Sequence, residues 1–185
     1  MTGILGGAFD PPHVGHVALA EAAERKLGLE RLVVVVVADP GHKDVHAPAE
    51  TRLELARLAF PGRDVLLDRH ARTVDLLRER RWADPVFLIG ADEYRDFPNW
   101  KEPEVVLELA RLGVAARPGF PLTEQPADRV LFFELEPMPV SSSEIRARIA
   151  QGELIDGLVP PAVAEAIARM GLYQRLDCAG HEPES

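Results

Sequence analysis

The sequence predicts an α/β protein built on a doubly wound parallel sheet. Three observations carry that reading. Strand-like apolar runs alternate with helical segments along the chain, the pattern of successive βαβ units. Residues 33–37 are five valines in a row without polar alternation, which suits a strand buried on both faces of a parallel sheet. A glycine pair, Gly6-Gly7, separates the first apolar run from the first helical pattern. In such sheets ligands bind beyond the carboxyl ends of the strands.

The elements follow in order. Thr2 to Leu5 reads as the first strand and Gly6 to Asp10 as a turn leading to a helix over 16–28. There Val17-Ala18-Leu19-Ala20-Glu21-Ala22-Ala23 combines helix formers with apolar residues at helical spacing. Arg31 to Ala38 is the second strand, 49–59 a helix, Asp64 to Leu67 the third strand and 73–82 a helix. Pro85 to Ile89, Leu112 to Ala116 and Val130 to Leu135 complete the strands, with a helix over 103–110 between the first two. Helices over 143–151 and 161–170 close the pattern. Pro139 marks the break before 143–151, and Ser141-x-x-Glu144 fits a capping box that opens it. Gly119 to Asp128 reads as a loop. Three turns follow strands directly: Gly6 to Asp10, Asp39 to Lys43 and Gly90 to Asp92. They are expected to line one crevice.

Length and composition set bounds. The 185 residues suit one domain, predicted over 1–176, with the short polar stretch 177–185 as a mobile tail. An apolar content of 46% and a mean hydropathy of -0.06 are ordinary for a soluble protein. No run is long enough to span a membrane, and no secretory pattern precedes the first strand, so a cytoplasmic location is expected. The single cysteine, Cys178, excludes an internal disulfide and reads as a tail residue without a role. A formal net charge of -9 argues against broad nucleic-acid binding. Any phosphate site must therefore gather its positive charge locally, with His13, His16, His42, Lys43, Arg117 and Arg146 as candidates.

The densest chemistry lies in Gly6-Gly7-Ala8-Phe9-Asp10-Pro11-Pro12-His13-Val14-Gly15-His16. A strand, a turn and a helix start offer free backbone N–H groups and a positive dipole end to an anion. Two glycines would let a phosphate approach the backbone. His13 and His16 are three apart and share a helix face, where both can donate to phosphate oxygens. A bare turn would explain the glycines but neither histidine. A metal site lacks a third ligand at a recognisable spacing, and no metal is assigned.

This run resembles the (S/T/A)-F-D-P-x-H-x-G-H motif of the nucleotidyltransferase superfamily. Val140-Ser141-Ser142-Ser143-Glu144-Ile145-Arg146 is similar to its I-S-S-T-x-I-R motif, with Ser143 keeping the hydroxyl of the usual threonine. Ile89-Gly90-Ala91-Asp92, Phe97-Pro98-Asn99-Trp100 and Ala116-Arg117-Pro118-Gly119-Phe120-Pro121-Leu122 resemble bacterial nicotinate-nucleotide adenylyltransferases. So does Leu158-Val159-Pro160-Pro161 followed by Gly171-Leu172-Tyr173.

The resemblance implies a Rossmann-like nucleotidyltransferase fold and transfer of AMP from ATP to nicotinate mononucleotide. The products would be the deamido dinucleotide and pyrophosphate. It implies an ATP side made of Gly6, Gly7, Ala8, Phe9, His13, His16, Lys43, Gly90, Asp92, Ser142, Ser143 and Arg146. His13, His16 and Arg146 would be catalytic, with Arg146 bearing on the departing pyrophosphate. It implies an acceptor side made of Asp10, Lys43, Arg72, Thr73, Trp100 and Arg117, with Trp100 stacked on the pyridine ring. Mg2+ would arrive with ATP. ATP and nicotinate mononucleotide would be the partners; no nucleic-acid or membrane partner is expected from the charge and the apolar runs, and the sequence leaves the oligomeric state open.

Several of these residues have plainer readings. Lys43 can be a solvated loop lysine, Gly90-x-Asp92 a turn with a helix cap, and Trp100 a core residue. The family's S-Y-T-x-D-T becomes Ala71-Arg72-Thr73-Val74-Asp75-Leu76 here. Arg72 can pair with the nicotinate carboxylate or stand as one more exposed charge. Competing functions are an adenylyltransferase for nicotinamide mononucleotide or another phosphorylated acceptor, and a non-catalytic nucleotide-binding module. Phosphopantetheine enzymes resemble this chain less, since they typically carry threonine where His13 stands.

Overall fold

The apolar runs form the strands β1 (Thr2–Gly7), β2 (Arg31–Val37), β3 (Asp64–Asp68), β4 (Pro85–Gly90), β5 (Arg111–Ala116) and β6 (Val130–Glu134). The computed structural model describes residues 1–41, 44–70, 72–116 and 128–174. Within them the helices are α1 (Val14–Leu27), α2 (Ala49–Ala59), α3 (Thr73–Glu79), α4 (Ala91–Asp96), α5 (Pro103–Leu109), α6 (Ser142–Ala150) and α7 (Pro161–Met170). A 3-10 turn over Phe97–Asn99 joins α4 to the segment before α5. No helix among the described residues is long and apolar enough to cross a membrane.

All neighbouring strands run parallel, in the order β3-β2-β1-β4-β5-β6. That is the doubly wound order, and the strand sequence reverses between β1 and β4. The valine run behaves as predicted. Val33 to Val36 are fully buried; Val34 and Val36 face one core, Val33 and Val35 the other. The first core packs α1, α2, α6 and α7 on one face through Ala20, Leu55, Ile145 and Val163. The second packs α3, α4 and α5 on the other through Val74, Tyr94 and Val106.

The structure departs from the sequence reading chiefly at β1, α1 and α3, which stops at Glu79 instead of 82, and in one added helix. Gly6 and Gly7 belong to β1 and pair with Val35 and Val36, so the turn starts at Ala8. A Cβ on Gly6 would lie 3.1 Å from the Phe87 ring, and one on Gly7 3.0 Å from the Phe9 ring. Packing against this chain's own rings is therefore tight at both glycines, whatever else approaches them. Helix α1 begins at Val14, which makes His13 its N-cap. Helix α4 is an addition: Gly90 caps it, donating its N–H to Glu93 Oε2 at 2.9 Å.

Candidate active site

A cavity of about 860 Å³ opens where the strand order reverses. Gly6, Gly7 and Ala8 at the end of β1, and Phe87 to Ile89 of β4, form its floor. A second cavity of about 360 Å³ is lined by His13, His16, Gly90, Asp92 and Val140. Asp92 lines both, so the two are neighbouring parts of one cleft. Ala8, Pro40 and Asp92, each just beyond a strand end, meet in the larger cavity, as the topology predicts.

The corner that follows β1 is held from beneath. Phe9 adopts φ 50°, unusual for a side-chain-bearing residue, and is 1% exposed. Its ring meets His16 and Phe60 edge-on at 5.0 and 5.7 Å. The Phe9 ring is thus packed in the core, and Phe9 lines neither cavity. Asp10 is also displaced from its expected role. Its carboxylate is 2% exposed and accepts from His46 N at 2.6 Å, Ala47 N at 3.1 Å and the Tyr173 hydroxyl at 2.8 Å. With its lone pairs used inside the protein, Asp10 ties the β1 corner to the loop before α2 and to the segment after α7. Burial, then the Asp10 carboxylate, pushes the Tyr173 phenol up. The phenol stays protonated and donates.

Arg52 of α2 completes this base. It is 1% exposed, and its guanidinium donates to the carbonyls of Ala8, Val37, Ala38 and Ala47. Burial lowers its pKa, and the nearby Asp10 carboxylate opposes that shift. Arginine suits this place because its planar fork carries five donors.

Both histidines line the smaller cavity. Their rings stack with centroids 3.7 Å apart. The His13 N–H donates to His16 Nδ1 at 3.2 Å, which puts the His16 ring proton on Nε2. His13 Nδ1 is buried without a partner, so its proton also belongs on Nε2. Room for that ring comes from Gly15, where a Cβ would meet His13 Nδ1 and Cε1 at 3.1 Å. Burial lowers the His13 pKa to about 4. His13 thus supplies a neutral donor and not the positive charge expected of it.

This has a stability consequence. Between about pH 4 and 6.5 the unfolded chain takes up the His13 proton and the folded one does not. Stability from this group is intact above pH 6.5 and falls as the pH drops toward 4, by up to roughly 3 kcal/mol. Melting profiles of the parent and His13→Asn are expected to diverge over that window. Parallel profiles would contradict a buried neutral His13.

The second motif docks on the first. Ser141 caps α6 by accepting Glu144 N at 3.2 Å, while the Glu144 carboxylate turns to Arg148 at 2.9 Å. Half of the predicted capping box is present. Ser142 Oγ donates to Pro11 O at 2.8 Å, which commits its proton to the corner. Ser143 is exposed. Arg146 Nη1 donates to Asp10 O at 2.7 Å and lies 3.7 Å from its carboxylate. Ser142, Ser143 and Arg146 line neither cavity; the α6 start meets the smaller one through Val140. Arg146→Ala is expected to reduce kcat/KM far more than Arg148→Ala. Arg146 braces the histidine corner, whereas Arg148 makes a half-exposed i,i+4 pair of small energy. Equal losses would make bulk charge the cause.

Trp100, Arg72 and Thr73 come together in the larger cavity. Trp100 meets Phe87 edge-on at 6.1 Å and Phe97 at 5.4 Å, leaving the ring part of the cavity wall. Arg72 precedes α3 as an exposed residue with no ionic partner among the described residues. Asp92 is exposed and accepts from Arg95 Nη1 at 3.1 Å. Lys43 and Arg117, with His42, Ala71 and the tail beyond 174, lie outside the described residues. Sequence reading missed Arg52, Asp68, His70 and Lys101. The last three line the larger cavity. A 2.6 Å hydrogen bond to Asp68 raises the His70 pKa, and Glu79 lies 3.0 Å from its other nitrogen.

Comparison with known proteins agrees with this geometry. The cytidylyltransferase-like family matches residues 4–148. A probable nicotinate-nucleotide adenylyltransferase of Thermus thermophilus is 44% identical over 184 residues, covering 93% of this chain and 98% of the relative. One of Thermomicrobium roseum is 39% identical, covering 95% of this chain and 92% of the relative. Among solved structures, a Plasmodium falciparum nicotinic acid mononucleotide adenylyltransferase complexed with NaAD has the same fold. Its TM-score is 0.74 at 18% identity, covering 93% of this chain and 96% of that one. With the doubly wound sheet, the paired histidines and the Arg146 corner in place, the chain belongs to the cytidylyltransferase-like nucleotidyltransferases, and within them to the nicotinate-nucleotide adenylyltransferase family.

Proposed function

We propose that this protein transfers the adenylyl group of ATP to nicotinate mononucleotide, releasing pyrophosphate, as a step of NAD biosynthesis in the cytoplasm. The observation that carries the reading is the two-part cleft. The neutral His13 and the His16 ring line one part, and a tryptophan ring with an arginine that has no ionic partner among the described residues lines the other. The ATP phosphates belong with His13 and His16, and the pyridine ring with Trp100. An oxygen of the acceptor phosphate attacks the α-phosphorus. The bond to the bridging oxygen breaks, and pyrophosphate leaves with the electron pair. The attacking phosphate needs no base, and none is assigned. Catalysis rests on positioning and on hydrogen bonds to the charge that develops on the phosphates. The Nε2–H groups of His13 and His16 supply such bonds. Arg146 lines neither cavity and acts through its bond to Asp10 O, bracing the corner that carries the two histidines.

Mg2+ enters as part of the substrate, held by phosphate oxygens and water. Among the described residues no cluster of three or more histidine, cysteine or carboxylate groups is placed to hold a metal. The acceptor carboxylate would meet Arg72 and the backbone beside Thr73. The test is pyrophosphate release from ATP and Mg2+ with nicotinate mononucleotide, nicotinamide mononucleotide or phosphopantetheine as acceptor. Release is expected with the first above all. No release with any acceptor would favour a non-catalytic nucleotide-binding module.

A further inference from the structure

Two ion pairs join the opposite walls of the larger cavity. One wall is the start of α3, which carries Arg72, Thr73 and Leu76; the other is the segment Asn99 to Lys101. Lys101 Nζ reaches both Asp75 oxygens at 3.1 Å. One residue on, Glu102 takes a two-pronged bond from Arg78, at 3.0 Å to Nη1 and 2.6 Å to Nη2. Asp75 and Arg78 lie one helical turn apart, with 3.9 Å between their charged atoms, so the four residues form one network. Glu102 holds φ 52° and ψ 58°, the left-handed conformation that side-chain-bearing residues rarely adopt. Pro103 follows at the first position of α5. A strained, charged residue forked to the facing helix is a device for fixing where the preceding residues sit. Those residues include Trp100.

We propose that the pairs Asp75–Lys101 and Arg78–Glu102 act as positioning residues that set the gap between Trp100 and the start of α3, and thereby the affinity for the acceptor. This rests on the reading that the larger cavity takes the acceptor mononucleotide. The four side chains are partly exposed, so each pair contributes little to global stability. Their effect is local. Arg78 and Glu102 do not line the cavity, so they act on a ligand only through the wall they hold.

The test compares Arg78→Gln, Glu102→Gln and their double variant with Asp75→Asn and Lys101→Gln. Each single variant is expected to raise the KM for nicotinate mononucleotide roughly three- to tenfold, with kcat and the KM for ATP within about twofold. The double variant should be no worse than either single, because paired residues act as a unit. An unchanged acceptor KM in Arg78→Gln and Glu102→Gln would overturn the proposal. So would Asp75→Asn lowering that KM while Lys101→Gln raises it, since Lys101 would then be a direct ligand held back by Asp75. A second readout needs no substrate. In a Trp82→Phe background, acrylamide quenching of Trp100 fluorescence should increase in Arg78→Gln and Glu102→Gln. Unchanged quenching would also refute the clamp. A parent enzyme inactive with nicotinate mononucleotide, yet showing the quenching change, would refute the acceptor assignment alone.

Discussion

Asp10→Ala is expected to destabilise the protein by about 3–5 kcal/mol, a fall in Tm on the order of 10 °C. The Asp10 carboxylate receives two backbone N–H groups and the Tyr173 hydroxyl, and it lies 3.7 Å from Arg146. Its removal leaves those donors unpaired in the interior and leaves the buried Arg52 guanidinium without the carboxylate that offsets its desolvation. Leaving a buried charge uncompensated costs more than losing an ordinary hydrogen bond. Tyr173→Phe removes one of these bonds and should cost about 1 kcal/mol. Thermal melts of both variants check this. Equal losses would show that Asp10 is not the hub the geometry makes it.

His16→Ala is expected to lower kcat about a hundredfold. His16 lines the smaller cavity and its Nδ1 accepts the His13 N–H, which leaves Nε2 as its donor, and loss of a donor to a transition-state oxygen costs roughly 3 kcal/mol. The same ring accepts the His13 N–H and packs on Phe9, so some stability is also lost. The capping bond contributes about 1 kcal/mol, too little to unfold the chain. Steady-state kinetics with a melting curve separate the two effects. Turnover within a few-fold of the parent, in a folded variant, would remove His16 from the reaction.

What could be read from the sequence follows from how local each cause is. The valine strand and the alternation around it were legible because burial on both faces leaves an unbroken apolar run. His13 and His16 were legible as a pair because residues three apart at a helix start meet, although they do so as N-cap and N3 and not on a helix face. Gly6 and Gly7 were misread as a turn. Glycine carries no strand signal, and only the pairing with Val35 and Val36 and the rings of Phe87 and Phe9 reveal their place. Helix α4 has six residues, too few for a helical period to show. Arg52 could not be found at all. Its burial is explained by carbonyls 5, 14, 15 and 44 residues away, and no local pattern encodes that convergence. Asp10 sits inside a recognisable motif, yet its partners near residues 46 and 173 lie far off in sequence. Motif membership placed it near the site without showing that it faces inward.

In the proposed reaction the larger cavity takes a pyridine mononucleotide bearing a carboxylate. The most direct measurement is kcat/KM for nicotinate and for nicotinamide mononucleotide, in the parent and in Arg72→Tyr. Arg72 lines that cavity as a free cation among the described residues, and Trp100 faces the same space. A charged partner left unmatched by the amide costs about 1–3 kcal/mol, so the acid should be preferred roughly ten- to hundredfold. Arg72→Tyr should reduce that ratio. Equal efficiency for acid and amide in the parent would contradict a carboxylate-binding larger cavity.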